Sequence, residues 1–356
     1  MDEKQQASEH NGVPKGQLAT ACARDPYWDV VKALLISLVV LGHAVQFARG
    51  GNFWGDPLFK AIYLFHMPLF VMVSGYFAIQ GIKKHGRRYL WRTARHLLIP
   101  SLFNPLVYIA LKVARSYWHG QTPTMSWGFV LLMAWFLICI FECGVFTWVL
   151  LRFKSMWWRV AWFVIPMLLA MVCPGFPQAG QFTFLYPFFL LGAWVHARRC
   201  KLGNVWIGLA SLAVYIGVFC IFRDNWYVYR SPMASLPDNP DVVAVYLVRM
   251  VGGIAGCFLF LFITRHLTML TRSRLLQKLG GSTLAIYLLQ IYFWDFVWIA
   301  HCPNISIWMC FPLTAGVVIL CYGVHQLLKR VPVLCFLMFG ELRDIRNQGA
   351  TSKFQA

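Results

Sequence analysis

The chain has 356 residues, of which 59% are hydrophobic, 17% aromatic and only 13% charged, with a mean hydropathy of +0.59. These values exclude an ordinary soluble globular domain, in which about a quarter of residues are charged. The formal net charge of +19 does not point to nucleic acid, because the cations alternate along the chain loop by loop instead of forming one patch.

Residues 1–26 are polar, with no apolar core of a signal peptide and no cleavage pattern, and are predicted to be a disordered cytoplasmic tail. Ten apolar segments follow, at about 30–48, 58–80, 97–114, 127–150, 158–174, 181–197, 203–222, 242–264, 281–300 and 306–328. Segments of about 20 such residues suffice to cross a hydrocarbon core of roughly 30 Å. The second loop carries Lys83, Lys84, Arg87, Arg88, Arg92 and Arg95, and the fourth, sixth and eighth are also basic, whereas the fifth and ninth have no Lys or Arg. The positive-inside rule then puts both termini in the cytoplasm. The expected architecture is an all-α polytopic bundle in a lipid bilayer, one membrane domain over 27–330, with 331–356 as a cytoplasmic tail. The eleven cysteines are scattered without a CxxC pair, so neither a disulfide framework nor a metal site is expected.

The first segment, "KALLISLVVLGHAVQF", sets Lys32 and His43 on one stripe. Residues eleven apart on a helix differ by about 20° in azimuth and roughly 16 Å in height. Lys32 reads either as a snorkelling anchor or as a functional cation, and Asp29, one turn earlier, is placed to pair with it. His43 lies deep, toward the outer half. In "FHMPLFVMVSGYF", His66 precedes Pro68, which frees a backbone carbonyl, and Ser74-Gly75, which permits close helix approach. His66 is thus placed to partner His43, or simply to pack. Arg88, Arg92 and Arg95 have helical spacing and suit either anionic lipid or a phosphate-bearing ligand. Glu142, Arg249 and Asp295 are costly in hydrocarbon and are expected to face the bundle interior, with Glu142 and Arg249 a candidate pair.

Five stretches together resemble the membrane-bound acyltransferase 3 superfamily, and within it the fucose 4-O-acetylase-like enzymes. They are "YWDVVKALLISLVVLGH", "FHMPLFVMVSGYF", "RTARHLLIP", "WFL" at Trp135–Leu137, and "YPFFLLG" followed later by "LGGSTLAIYLLQ". Family members often carry histidine where this chain has Gln290. The resemblance implies an acyl group, usually acetyl, moved from cytoplasmic acetyl-CoA to a hydroxyl of an extracytoplasmic or lipid-linked glycan. It implies that His43 is the catalytic histidine and that Lys32 belongs to the acyl-CoA site. Arg88, Arg92 and Arg95 are candidates for holding the phosphates of CoA, while Ser74 and His66 are candidates for stabilising the oxyanion. A polytopic transporter or exporter of a polysaccharide precursor is the competing reading of the same buried ionisable residues.

Overall fold

The structure, a computed structural model, describes residues 25–122, 127–172, 179–228, 240–298 and 305–341, and among these it contains helices and turns. Asp25 starts the first helix, its carboxylate accepting from the Tyr27 amide at 3.0 Å while Pro26 occupies the first turn, where its missing N–H costs nothing. The helices in chain order are α1 (Pro26–Arg49), α2 (Pro57–Tyr63), α3 (His66–His85), α4 (Arg87–Trp118), α5 (Trp127–Leu150), α6 (Met156–Val172) and α7 (Ala179–Arg198). They continue as α8 (Val205–Ile221), α9 (Val242–His266), α10 (Thr268–Thr271), α11 (Arg274–Gly281), α12 (Thr283–Tyr292), α13 (Cys310–Leu328) and α14 (Pro332–Phe339).

A helix therefore occupies each apolar segment expected from the sequence. Five stretches are long and apolar enough to cross a membrane by length and composition: Pro26–Arg49, Pro57–His85, Arg87–Trp118, Val242–His266 and Ile307–Leu328. The outward faces are apolar as well. Leu102 and Leu106 on α4, Trp206, Leu209 and Ile216 on α8, and Ile319 and Leu320 on α13 are all exposed, a distribution that suits lipid and not water.

Two helix pairs hold the centre together by backbone contact. A Cβ on Gly75 of α3 would run into the carbonyl of Phe189, and one on Gly192 of α7 into the carbonyl of Met72. The close approach foreseen at Ser74-Gly75 is thus made by α7. Likewise Gly280 of α11 lies against the Asp29 carbonyl of α1. Small residues at such crossings let van der Waals contact do what the hydrophobic effect cannot do in lipid.

Prolines fall within α4 and α7 and just after the break between α2 and α3, and side chains near them bond to backbone carbonyls. Pro187 in α7 frees the Thr183 carbonyl, which accepts the Tyr246 hydroxyl from α9 at 3.0 Å. In α4, which contains Pro100 and Pro105, the Asn104 amide donates to the Pro100 carbonyl at 3.0 Å and to the Met338 carbonyl of α14 at 2.8 Å. The break between α2 and α3 falls at Leu64–Phe65, one turn before Pro68, and His66 Nδ1 donates to the Ile62 carbonyl at 2.9 Å across it.

The C-terminal segment adds one further short helix. Residues 332–339 form α14, whose Cys335, Met338 and Phe339 are buried against the bundle. Its apolar run is too short to cross a membrane, and α4 packs against it, with Asn104 donating to the Met338 carbonyl. The expected N-terminal tail up to residue 24, and residues 342–356, lie outside the described residues.

Candidate active site

The C-terminal half of α1 faces a cavity of about 540 Å³. Val39, His43, Gln46 and Phe47 line it from α1, a spacing that keeps one helical face turned inward. The turn after α1 adds Phe53 and Trp54, α2 adds Phe59 and Tyr63, and α3 adds His66 and Met67. Ser101, Asn104 and Pro105 of α4 and Trp135 of α5 close one side. The last wall is α12 and the single π-helical turn Phe293–Trp298 that extends it, contributing Tyr287, Leu288, Gln290, Ile291, Trp294 and Asp295. Single π turns in an otherwise α-helical rod shift the register of side chains, and they recur at functional sites.

His43 and His66 both line this cavity. His66 is 2% exposed. Because a carbonyl oxygen only accepts, its bond to Ile62 puts the His66 proton on Nδ1 and leaves a lone pair on Nε2. The ring is further held by Tyr63, whose centroid lies 4.5 Å away, and Tyr63 itself stacks on Phe59 at 3.7 Å.

Ser74 does not join them. Its hydroxyl donates to the Phe70 carbonyl of its own helix at 2.9 Å, two turns beyond His66, and the residue is outside the cavity wall. Lys32 also stands apart, roughly 16 Å along α1 from His43. Its ammonium pairs with Asp29 at 2.8 Å, as the i,i+3 spacing predicts, and lies 5.9 Å from the centroid of the Phe77 ring. Asp29 is buried, whereas the Lys32 side chain keeps 28% of its surface. Trp28 lies against Tyr76 with ring centroids 4.3 Å apart in a tilted arrangement, so the end of α1 bearing Lys32 packs on the middle of α3, whose later turns lead into the basic stretch. There Arg88, Arg92 and Arg95 are exposed, with Arg95 resting 5.1 Å from the Trp91 ring centroid.

Sequence reasoning missed much of the far wall. Asp295, expected to face the bundle interior, lines the cavity, but its partners were not foreseen: its carboxylate accepts a hydrogen bond from the Tyr108 hydroxyl, and Arg115 donates to its backbone carbonyl at 3.3 Å. Gln290 is 1% exposed and its side-chain oxygen has no hydrogen-bond partner. A lone glutamine in an apolar run was the available signal. Glu142 and Arg249 do not pair: the Arg249 guanidinium is buried in α9, 5.6 Å from the Phe184 ring centroid, with Nε and Nη1 unpartnered.

Among the described residues one group has donors suited to a metal, His325, Cys335 and Glu341, whose ligand atoms lie within 4.8 Å of one another. They join α13 to the end of α14, and none of them lines the cavity. The protein's own groups occupy these donors: Glu341 meets His325 Nε2 at 3.1 Å and Lys329 Nζ at 3.4 Å. Burial raises the Glu341 carboxyl pKa, but the His325 hydrogen bond and charge and the nearby Lys329 outweigh it and hold the group below its ordinary range.

Comparison with known proteins brings the chain into company. A family model described as an acyltransferase domain, of the acyltransferase 3 type, matches residues 25–326. Nodulation protein NolL of Sinorhizobium fredii is 31% identical over 291 residues, covering 76% of this chain and 78% of that protein. Nodulation protein NolL of Mesorhizobium japonicum is 28% identical over 292 residues, covering 75% and 76%. Glucans biosynthesis protein C of Salmonella typhimurium is 22% identical over 399 residues, covering 92% and 98%. No solved structure matches at a comparable level.

Proposed function

Because the chain belongs to the acyltransferase 3 family, we propose that it is a membrane O-acyltransferase that moves acetyl from cytoplasmic acetyl-CoA to a hydroxyl of an extracytoplasmic or lipid-linked glycan. The observation that carries this reading is that His43 of α1 and His66 of α3 line one aromatic-rich cavity, while Lys32 stands at the opposite end of α1. A glycan acceptor is supported by the name of one relative, glucans biosynthesis protein C. The basic segment at the Lys32 end supports a donor whose phosphates stay at the cytoplasmic surface while its thin thioester arm reaches inward. The same loop charges support cytoplasmic termini, in what we take to be a bacterial cytoplasmic membrane.

His43 has two routes to transfer. As general base its imidazole takes the proton of the acceptor hydroxyl as that oxygen attacks the thioester carbonyl; the C–S bond then breaks and the leaving thiolate recovers the proton. As acyl carrier a ring nitrogen attacks the thioester carbonyl, the C–S bond breaks and the leaving thiolate takes the imidazolium proton; the acceptor oxygen then displaces the imidazole, which takes the acceptor's proton as the C–N bond breaks. His66, with its Nδ1 proton committed to Ile62, offers Nε2 as an acceptor and so suits a proton relay to His43 better than an oxyanion hole. Ser74 is equally unsuited to that hole while its hydroxyl serves the Phe70 carbonyl.

The test is acyl transfer by purified protein in nanodiscs, from radiolabelled acetyl-CoA to a glucan oligosaccharide. Label appearing in the sugar as an alkali-labile ester is the expected result. Folded wild-type protein that neither binds acetyl-CoA nor exchanges its acetyl group would overturn the reading in favour of a transporter.

A further inference from the structure

Gln290 is a buried amide whose position in the cavity is unexplained by packing alone. It sits on α12, 1% exposed, in the wall that faces His43 and His66, and its side-chain oxygen has no hydrogen-bond partner. A buried acceptor left unmade costs about 1–3 kcal/mol, so such a group in a cavity wall marks a place where a ligand donor belongs. An acceptor oxygen cannot stabilise an oxyanion, and it does not complement a carboxylate. It suits an O–H or N–H brought in by the ligand.

The rest of the wall narrows the class. Among the described lining residues there is no Lys or Arg, and the single carboxylate, Asp295, is engaged by Tyr108. An anionic sugar would lose its hydration here without gaining a cation. The remaining surface is largely aromatic, and flat apolar rings cover the C–H faces of a pyranose while amides meet its hydroxyls. A cavity of about 540 Å³ lies within the range that holds small ligands.

We infer that Gln290 is the specificity-determining residue for the acceptor: its side-chain carbonyl accepts a hydrogen bond from one hydroxyl of an uncharged sugar seated between the aromatic wall and His43. The assignment rests on the acyltransferase reading for its consequence, the choice of hydroxyl, but it makes a binding claim that stands or falls separately. Without Gln290 the sugar still enters, and it loses its register against the imidazole.

Trp54, Trp135 and Trp294 line the cavity, so their fluorescence reports occupancy without any acyl donor. The experiment titrates protein in nanodiscs with neutral methyl hexopyranosides, with their monodeoxy analogues, and with a methyl uronate, comparing wild type, Gln290→Met and Gln290→Leu. In wild type, removal of one particular hydroxyl is expected to weaken binding on the order of 10-fold, the loss of a hydrogen bond to a buried partner. In either variant the parent sugar should bind about that much more weakly, and the same deoxy position should cost nothing further, which is the coupling that a merely structural residue does not produce. Both variants respond to the sugar panel only if folded, and the apolar replacements are of similar volume. Undiminished selectivity in both variants, a uronate bound as well as the neutral sugar, or no neutral sugar bound by wild type would each overturn the inference. Coupled sugar binding without acetyl transfer from acetyl-CoA would support the role of Gln290 in recognition while removing the acyltransferase reading.

Discussion

At one end of α1 Lys32 is held by a buried Asp29 at 2.8 Å, and the neighbouring arginines of α4 are exposed at the surface. At the other end His43 looks into a cavity where His66 and Gln290 are almost wholly buried, and where the backbone itself, broken before Pro68, fixes the ring of His66. The contrast teaches how a membrane enzyme divides its labour. Exposed cations attract a phosphorylated ligand through long-range forces that tolerate motion and are screened by salt. Proton transfer and hydroxyl selection need fixed groups in a site shielded from water, where a displacement of 1 Å is costly. Changes at the cavity should therefore abolish chemistry while sparing donor binding, and changes at the basic end should do the reverse.

The largest effect is expected from His43→Ala, which should lower acyl transfer by on the order of 10²–10⁴-fold while thermal unfolding followed by circular dichroism stays near that of wild type. Next comes Gly192→Ala. A Cβ there meets the Met72 carbonyl, backbone that cannot swing aside, and overpacking of this kind costs about 1–3 kcal/mol or more. A lower melting temperature, and activity falling in step with the folded fraction, would mark α3–α7 as the frame of the cavity.

Lys32→Ala should weaken acetyl-CoA binding by about 10-fold, the loss of one charge-assisted contact, and should also destabilise the fold by taking the cation from buried Asp29. Adding Asp29→Asn should restore the melting temperature but not the binding, and calorimetry on the double variant separates the two. Replacing Arg88, Arg92 or Arg95 singly should weaken donor binding only a few-fold, with the difference shrinking as salt rises, and should leave stability within about 0.5 kcal/mol.

The smallest effect concerns α14. The folded-state pKa of Glu341 is depressed, so its contribution to docking is present above the ordinary carboxylate pKa of about 4.3 and is lost as pH falls through the folded value. His325, Lys329 and Cys335 are the groups facing it. Proteolysis of the C-terminal segment should accelerate only below that range, and Glu341→Gln should remove the dependence.

Much of this arrangement was legible in the sequence where the cause is local. The Lys32–Asp29 pair follows from i,i+3 spacing, the stripe from Lys32 to His43 from eleven-residue spacing, and the helix break from Pro68. What was illegible is long-range. Tyr108 and Asp295 meet across 187 residues of sequence, and the π turn that brings Trp294 and Asp295 into the cavity has no marker in "YFWDFVW". Ser74 looked like a donor by composition, yet a serine in a helix interior commonly bonds back to the carbonyl four residues earlier, as this one does. The short C-terminal helix was hidden for a similar reason: eight apolar residues cannot span a bilayer, and only the packing of α4 against it shows what they cover.

The central claim is that donor binding and chemistry reside at opposite ends of α1. The direct measurement is acetyl-CoA affinity by calorimetry together with acetyl transfer to glycan, on the same nanodisc preparations of wild type, His43→Ala and Lys32→Ala. His43→Ala should bind donor like wild type and transfer almost nothing, and Lys32→Ala should bind weakly yet transfer when donor is saturating. Transfer retained by folded His43→Ala, or donor binding lost there and kept in Lys32→Ala, would contradict it.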